Sequence, residues 1–271
     1  MTMSKSTLAI AHNYKPVIVV KLGGSMISQL TEQFYASLKK LTDVYECIIV
    51  HGGGPAITSM LERLNIQGEF HEGLRKTTPE TLEVVEMTMG GKVNAHVTSK
   101  LAEQGVRAVG LKGSDANLIT ASLIDSETLG LVGKVDEVET TFLTNCLRGG
   151  YMPVIAPLGK MLDGRTVNIN ADIAASAIAK AMNAEKLLIV TDVPGIMHNG
   201  EVIEETTPDE ISALISTGGI YGGMIPKVQS AVEALSERLA EVMIVSGKQA
   251  VIENGVMTGT KICAKRKEGV E

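Results

Sequence analysis

The chain has 271 residues, of which 44% are hydrophobic and 21% charged, and carries a formal net charge of -6. This is ordinary globular composition, long enough to bury a sizeable core in one large domain or two small ones, and it excludes disorder, a collagen repeat and a disulfide scaffold. The acidic balance, with three Phe, five Tyr and no Trp, opposes a nucleic-acid partner, and no apolar run nears the roughly 18 residues of a membrane span.

Residues 1–15 read as a short irregular extension without the apolar region and cleavage pattern of a signal peptide. A strand is expected at Val17–Leu22, a helix at Gln29–Tyr45, a strand at Cys47–Val50 and a helix at Pro55–Leu64. A long helix follows at Pro79–Gln104, opened by Thr78-Pro79, then a strand at Val106–Leu111 and an irregular β-rich stretch over Leu123–Val138. The strand Met152–Leu158 leads into a hairpin, Lys160–Leu162 with Thr166–Ile169, turned by Asp163-Gly164 as a type I′ turn. A helix at Ala171–Met182 and a strand at Lys186–Val190 precede a second hairpin of the same type about Asn199-Gly200. Thr207-Pro208-Asp209-Glu210 has the grammar of a capping box and opens a helix at Pro208–Ser216; a helix at Pro226–Ala240 and a strand at Val242–Val245 close the series. The strands are apolar continuously rather than alternately, as parallel strands covered on both faces are. The expected fold is therefore α/β: a three-layer αβα sandwich with a mainly parallel open sheet and added β-hairpins.

Cys47, Cys146 and Cys263 lie far apart, read as core filler, and predict reduced thiols in a cytoplasmic setting. The five His show no metal-ligand spacing, so no protein-held metal is expected. Glycine is in excess: there are 28, where average usage of about 7% would give roughly 19. The surplus is clustered, with doublets at Gly23, Gly90, Gly149, Gly218 and Gly222 and a triplet at Gly52, and clusters mark sharp turns or close approach.

Lys21 ends an apolar strand directly before Gly23-Gly24. Ligands of open α/β sheets bind beyond the carboxyl ends of strands. Lys21 marks either an anion site, with glycine N–H groups reaching phosphate oxygens, or a lysine that snorkels to solvent above a tight turn. His51-Gly52-Gly53-Gly54-Pro55 places three glycines before a helix N-terminus, a site for an anion or carboxylate, and His51 itself reads as structural. Neither a P-loop nor a G-x-G-x-x-G string occurs, so any ATP site is of another kind. Arg75, in the polar loop before the long helix, is either a bidentate partner for a carboxylate or a solvated charge. Asn168 and Asn170 share one strand face and Asp172 opens the following helix; one of Asn170 and Asp172 serves as a cap, or all three converge on a ligand. Thr191-Asp192-Val193-Pro194-Gly195-Ile196 leaves a strand, and Gly218–Gly223 runs into a helix with Lys227 in its first turn. A cation there opposes the helix dipole, which favours an external anion at that end.

In this order, KLGGS at Lys21, HGGGP at His51, GLRKT at Gly73, VNINAD at Val167, TDVPGI at Thr191 and GGMIPK at Gly222 resemble the amino-acid kinase family from about Lys15 to Ala264. HGGGP, GLR and VN-x-NAD favour the branch whose acceptor is N-acetyl-L-glutamate. The resemblance implies ATP as co-substrate with Mg²⁺ held mainly by its phosphates, a product phosphorylated on the side-chain carboxylate, and a homodimer without arginine feedback. It implies that Lys21 and Lys227 stabilise the transferring phosphoryl group while Asp172 holds both lysines. Gly53, Gly54, Arg75 and Asn168 would bind the acylated amino acid, with Arg75 and Asn168 on its α-carboxylate. Gly23, Gly24, Thr191, Asp192, Val193, Pro194, Gly195, Ile196, Gly219, Ile220 and Tyr221 would bind ATP. It divides the chain into an N-terminal extension (1–15), a lobe for the acylated amino acid that also dimerises (16–183) and an ATP lobe (184–271), with Gly90-Gly91 at a helix contact between subunits. Two departures stand out: Lys112-Gly113-Ser114-Asp115-Ala116 stands where G-x-D-G is usual, and Val135-Asp136 replaces Val-Gly.

A side-chain carboxylate with a pKa near ~4.3 is ionised at neutral pH, so its phosphorylation needs positive charge rather than a general base. Two lysines, glycine amides and one aspartate match that need. The alternatives are a related kinase for another acyl or carbamoyl acceptor, a dinucleotide-dependent dehydrogenase, which the missing fingerprint disfavours, and a non-catalytic sensor, which would not need both lysines and Asp172.

Overall fold

The computed structural model describes residues 15–264, so the expected N-terminal extension lies outside the described residues apart from Lys15. One eight-stranded sheet forms the centre. Its order across the sheet is Glu205–Thr206, Thr260–Cys263, Glu241–Ser246, Lys186–Thr191, Val17–Leu22, Glu46–His51, Met152–Ala156 and Ala108–Lys112. The six strands from Glu241–Ser246 onward are parallel, and Thr260–Cys263 runs antiparallel to its neighbour Glu241–Ser246. A second unit closes on itself as a four-stranded barrel of Thr166–Ile169, Val132–Val138, Ile119–Leu123 and Leu158–Lys160. Among the described residues no helix is long and apolar enough to cross a membrane.

Side-chain alternation in the central strand feeds two cores. Val17 and Val19 pack with Ile48, Val50, Leu187, Ile189 and the alanine-rich helix Ala171–Ala181. Ile18, Val20 and Leu22 pack on the other face with Phe34, Tyr35, Leu38 and Leu41 of the helix Glu32–Leu41 and with Val97 and Leu101. Two faces covered by helices make the three layers that the continuous apolar runs imply. A third cluster lies beneath the helices Gly54–Arg63 and Pro79–Val85.

Several boundaries differ from the sequence expectation, each for a local reason. The expected helix Gln29–Tyr45 begins at Glu32, because Leu30 is extended and Thr31 caps the Phe34 N–H; it ends at Leu41. The long helix spans Pro79 to Glu103 but widens into a π-helix over Glu86–Val93. Gly90 has a reason inside the chain, since a Cβ there would lie 3.0 Å from Lys112 Cδ, whereas a Cβ at Gly91 would meet nothing. The run Met152–Leu158 is split between sheet and barrel. The helix Pro226–Ala240 occupies Met224–Ala234, because Leu235 turns extended. The Asn199-Gly200 hairpin forms with φ of 51° and 86° at its turn, as type I′ requires. The Asp163-Gly164 hairpin forms around a different turn: only Gly164 has positive φ, and its N–H donates to Met161 O, a type I turn closed by a glycine bulge. The helix Thr140–Arg148, capped by Glu139, and the short hairpin about Asn254-Gly255 were not expected.

His51 is enclosed between the core layers. Its Nε2 accepts from Asn94 Nδ2 at 3.0 Å and its Nδ1 donates to Gly52 O at 3.0 Å, which fixes a neutral ring. Burial pushes its pKa from 6.5 down to about 4. The unfolded chain takes up this proton as pH falls through that window and the folded chain does not, so stability is lost on acidification, by up to about 3 kcal/mol. Melting temperatures should fall between pH 7 and pH 4 with a slope that His51→Gln largely removes; equal slopes would take His51 out of this role. Ala116 sits at φ 51°, a left-handed conformation that is costly for a side chain. Ala116→Gly should therefore stabilise the chain by about 1 kcal/mol in urea melts, and a loss of stability would refute the strain.

Candidate active site

Strand parity and one helix cap assemble the charged centre. Lys21 follows Val17 and Val19 on the sheet face covered by the helix Ala171–Ala181, but stands past the end of the apolar core. Asn170 is the N-cap of that helix, its side chain accepting from the Asp172 and Ile173 N–H groups at 2.8 and 3.3 Å. The cap is therefore Asn170, and Asp172 is left to meet Lys21, Nζ to Oδ1 2.8 Å. With its side chain only 13% exposed, Lys21 is held at the strand end and does not snorkel away.

Two glycine loops meet backbone to backbone beside this pair. A Cβ on Gly24 would lie 2.8 Å from Gly54 N and 2.9 Å from Gly53 N, so no side chain fits between KLGGS and HGGGP. Gly53 is the N-cap of the helix Gly54–Arg63 and offers no side chain to its free N–H groups. Such an end attracts an anion through both its donors and the helix dipole.

Beyond these loops opens a cavity of about 270 Å³, at the lower edge of the usual small-molecule range of ~300–1,000 Å³. Lys21, Gly24, Gly53, Gly54, Arg75, Asn168 and Asp172 all border it. Arg75 belongs to a two-residue strand paired with Phe70–His71 and is only 7% exposed. Its Nη2 donates to Gly54 O at 3.1 Å and Thr58 Oγ1 at 2.7 Å, its Cζ lies 4.5 Å from the Phe70 ring centroid, and its buried Nη1 has no partner among the described residues. A fixed, desolvated guanidinium is suited to a carboxylate and is not the solvated charge of the alternative reading. Asn168 donates from Nδ2 to Thr77 Oγ1 at 3.1 Å.

A second cavity of about 290 Å³ lies on the other side of Lys21 and Asp172. Gly23, Thr191, Asp192 and Lys227 border it, with Ser25, Met26, Gln29 and Ser230, which the sequence reading missed. Ser25 also borders the first cavity, and its place in the KLGGS string was the available signal. Lys227 does not reach Asp172. The helix Met224–Ala234 carries it to Asp192, which follows the strand Lys186–Thr191, and Nζ lies 2.5 Å from Oδ1. Hydrogen bonds from Lys227 and Thr191 hold the Asp192 carboxyl down to about 2, so it is ionised throughout the physiological range.

Other residues nominated for ATP stand elsewhere. Ile196 and Ile220 are buried members of the core, Gly195 packs against Thr260 and Val202, and Gly219 lies against the His198 ring. Pro194 borders a separate cavity with Tyr45 and Lys186, Val193 is half-buried, and Tyr221 is exposed.

Residues 16–246 match the family model described as the amino acid kinase family. Acetylglutamate kinase of Geobacillus sp. (strain WCH70) is 50% identical over 246 residues, which is 90% of this chain and 96% of that protein. Acetylglutamate kinase of Bacillus subtilis (strain 168) is 49% identical over 257 residues, 94% of this chain and 99% of that one. Among solved structures, smu.665 from Streptococcus mutans UA159 superposes with a TM-score of 0.79 at 33% identity, covering 92% of this chain and 99% of that chain. Carbamate kinase from Giardia lamblia bound to citric acid shares the fold, with a TM-score of 0.68 at 18% identity over 92% of this chain and 98% of its own. Half identical to acetylglutamate kinases over nine-tenths of its length, the chain belongs to the amino acid kinase family, on its acetylglutamate kinase branch.

Proposed function

We propose that the chain transfers the γ-phosphoryl group of ATP to the side-chain carboxylate of N-acetyl-L-glutamate, giving N-acetyl-L-glutamyl 5-phosphate and ADP, the second step of arginine biosynthesis. The observation that carries this reading is that two cavities meet at one wall, shared by Lys21, Ser25 and Asp172. The acceptor takes the cavity with Arg75, Asn168 and the uncapped Gly53 helix end; the nucleotide takes the cavity with Gly23, Thr191, Asp192 and Lys227. Arg75 and Asn168 bind the α-carboxylate, which leaves the side-chain carboxylate to approach Lys21. The acceptor is already ionised, and among the described residues no histidine borders either cavity. The work of the site is thus to bring two anions together and neutralise their charge. Lys21 does so from the acceptor side and Lys227 from the nucleotide side, while Asp172 orients Lys21 and Asp192 orients Lys227.

Among the described residues no group of three His, Cys, Asp or Glu side chains could hold a metal ion. The two carboxylates beside the nucleotide cavity, Asp172 and Asp192, suit Mg²⁺, which takes one or two carboxylates and completes its shell with phosphates and water. When bound, it supplies neutralising charge on the phosphate oxygens. The proposed boundary near residue 184 does not part the sheet, because the strand Lys186–Thr191 pairs directly with Val17–Leu22 across it, and Lys21, Gly23, Ser25 and Asp172 of the first lobe also border the nucleotide cavity. A homodimer remains part of the proposal, supported by the exposed, uncrowded Gly91 and the exposed Met87 beside it.

Incubation with Mg-ATP, N-acetyl-L-glutamate and hydroxylamine should yield a hydroxamate; its absence, with one formed from another acceptor, would refute the substrate. Lys21→Ala and Lys227→Ala should each lower kcat by roughly 10²–10³, as loss of transition-state charge stabilisation does, and near-normal turnover in both would refute their roles. Arg75→Lys keeps charge but loses the fork, so the acceptor KM should rise about tenfold or more with the ATP KM unchanged. An unchanged acceptor KM would remove Arg75 from the carboxylate.

A further inference from the structure

We propose that Thr77 is a positioning residue whose single hydroxyl proton sets the orientation of the Asn168 carboxamide at the acceptor cavity. The inference rests on the acceptor reading above, and it begins with a hydroxyl enclosed in the interior: Thr77 is 0% exposed, where an apolar side chain is the usual occupant. Its Oγ1 donates to the carbonyl oxygen of Arg75 at 2.8 Å and accepts from Asn168 Nδ2 at 3.1 Å. One side chain thereby joins the strand that carries Arg75 to the strand that carries Asn168, which lies 91 residues beyond Thr77.

A hydroxyl has one proton. With that proton given to the Arg75 carbonyl, Thr77 Oγ1 can only accept from Asn168, so the carboxamide must turn its NH₂ toward Thr77. The reversed amide would set Oδ1 against the lone pairs of Oγ1 and lose the bond. The end of the amide that faces Thr77 is thus fixed by chemistry and not by shape, since the two amide ends are nearly the same size.

The backbone holds this arrangement in place. Thr77 N–H donates to Leu129 O at 2.9 Å, and Thr77 O accepts from Leu131 N at 2.7 Å. Asn168 N–H donates to Leu131 O at 2.9 Å, so both residues are tied to one segment. Thr77 and Asn168 therefore share a common frame and cannot drift apart singly. Among the described residues the other Nδ2 hydrogen and Oδ1 of Asn168 have no protein partner, and the residue borders the acceptor cavity. An amide fixed in this sense presents one donor and one acceptor in a set order. An acylated α-amino acid offers the complement, a carboxylate that accepts and an amide N–H that donates.

Thr77→Val keeps the shape and removes the hydroxyl, while Thr77→Ser keeps the hydroxyl. The Val variant should raise the N-acetyl-L-glutamate KM about tenfold, with kcat and the ATP KM changed less than about threefold, and the Ser variant should stay within about twofold of the unsubstituted chain. An unchanged acceptor KM in Thr77→Val, a Ser variant as impaired as the Val variant, or equal losses in both substrates' KM would overturn the proposal. Side-chain ¹⁵N relaxation of Asn168 in the full chain without ligand gives a readout free of the substrate assignment. The amide should be rigid in the unsubstituted chain and in Thr77→Ser and loosened in Thr77→Val; a mobile amide with Thr77 present, or equal rigidity in all three, would also overturn it. If the unsubstituted chain fails to phosphorylate N-acetyl-L-glutamate, the functional reading falls and the relaxation comparison alone decides Thr77. Thr77→Ala replaces the Val variant if that one does not fold, and the relaxation of the unsubstituted chain is decisive in either case.

Discussion

The ion pair between Lys21 and Asp172 is the point on which the two cavities turn, and its existence depends on counting residues along one strand. Val17, Val19 and Lys21 face the same way. The first two are covered by the alanine-rich helix Ala171–Ala181, and the third emerges where that helix begins. A shift of one residue would place Lys21 on the face packed by Phe34 and Leu38, turned away from Asp172. The small side chains of Ala174 and Ala175 bring the helix close to the sheet, and Asn170 caps it so that Asp172 is free for the lysine. A net-acidic chain in this way keeps a cation at the carboxyl end of its central strand, where the glycine loops also gather.

The second constraint is steric. KLGGS and HGGGP end neighbouring strands of the parallel sheet, and their loops touch through backbone at Gly24, Gly53 and Gly54. Any side chain at Gly24 would separate them. Their contact brings the uncapped Gly53 helix end beside Lys21, so dipole and charge act on the same side of the sheet. Asp192 and Lys227 repeat the logic on the other side of the shared wall: a carboxylate after a strand meets a lysine in the first turn of a helix.

Much of this was legible in the sequence because it is local. Continuous apolar runs gave the central parallel strands, and the glycine clusters with Lys21 located the loops at their ends. Asn170 and Asp172 were both visible, but whether either served as the cap depended on the start of the helix, which one hydrogen bond decides. The partner of Lys227 was not legible, since it depends on how the helix Met224–Ala234 lies against the sheet, and motif order placed it with Asp172. The barrel was missed as a unit because Thr120 pairs with Lys160, and Val132 with Asn168, across 40 and 36 residues, and short strands carry weak periodicity. Ile196, in the TDVPGI motif, and Ile220, in the Gly218–Gly223 stretch, were both assigned to ATP, and the structure uses both side chains as core. Asn254-Gly255 was a turn signal left unread.

The central claim is that acceptor and nucleotide occupy separate cavities that meet at Lys21. A crystal structure of the chain with N-acetyl-L-glutamate and a non-hydrolysable ATP analogue tests it most directly. The account predicts the acceptor's α-carboxylate at Arg75 and Asn168, its side-chain carboxylate facing the γ-phosphate, and Lys21 Nζ within hydrogen-bond distance of that phosphate. Both ligands on one side of the Lys21–Asp172 pair, or a γ-phosphate remote from Lys21, would contradict it.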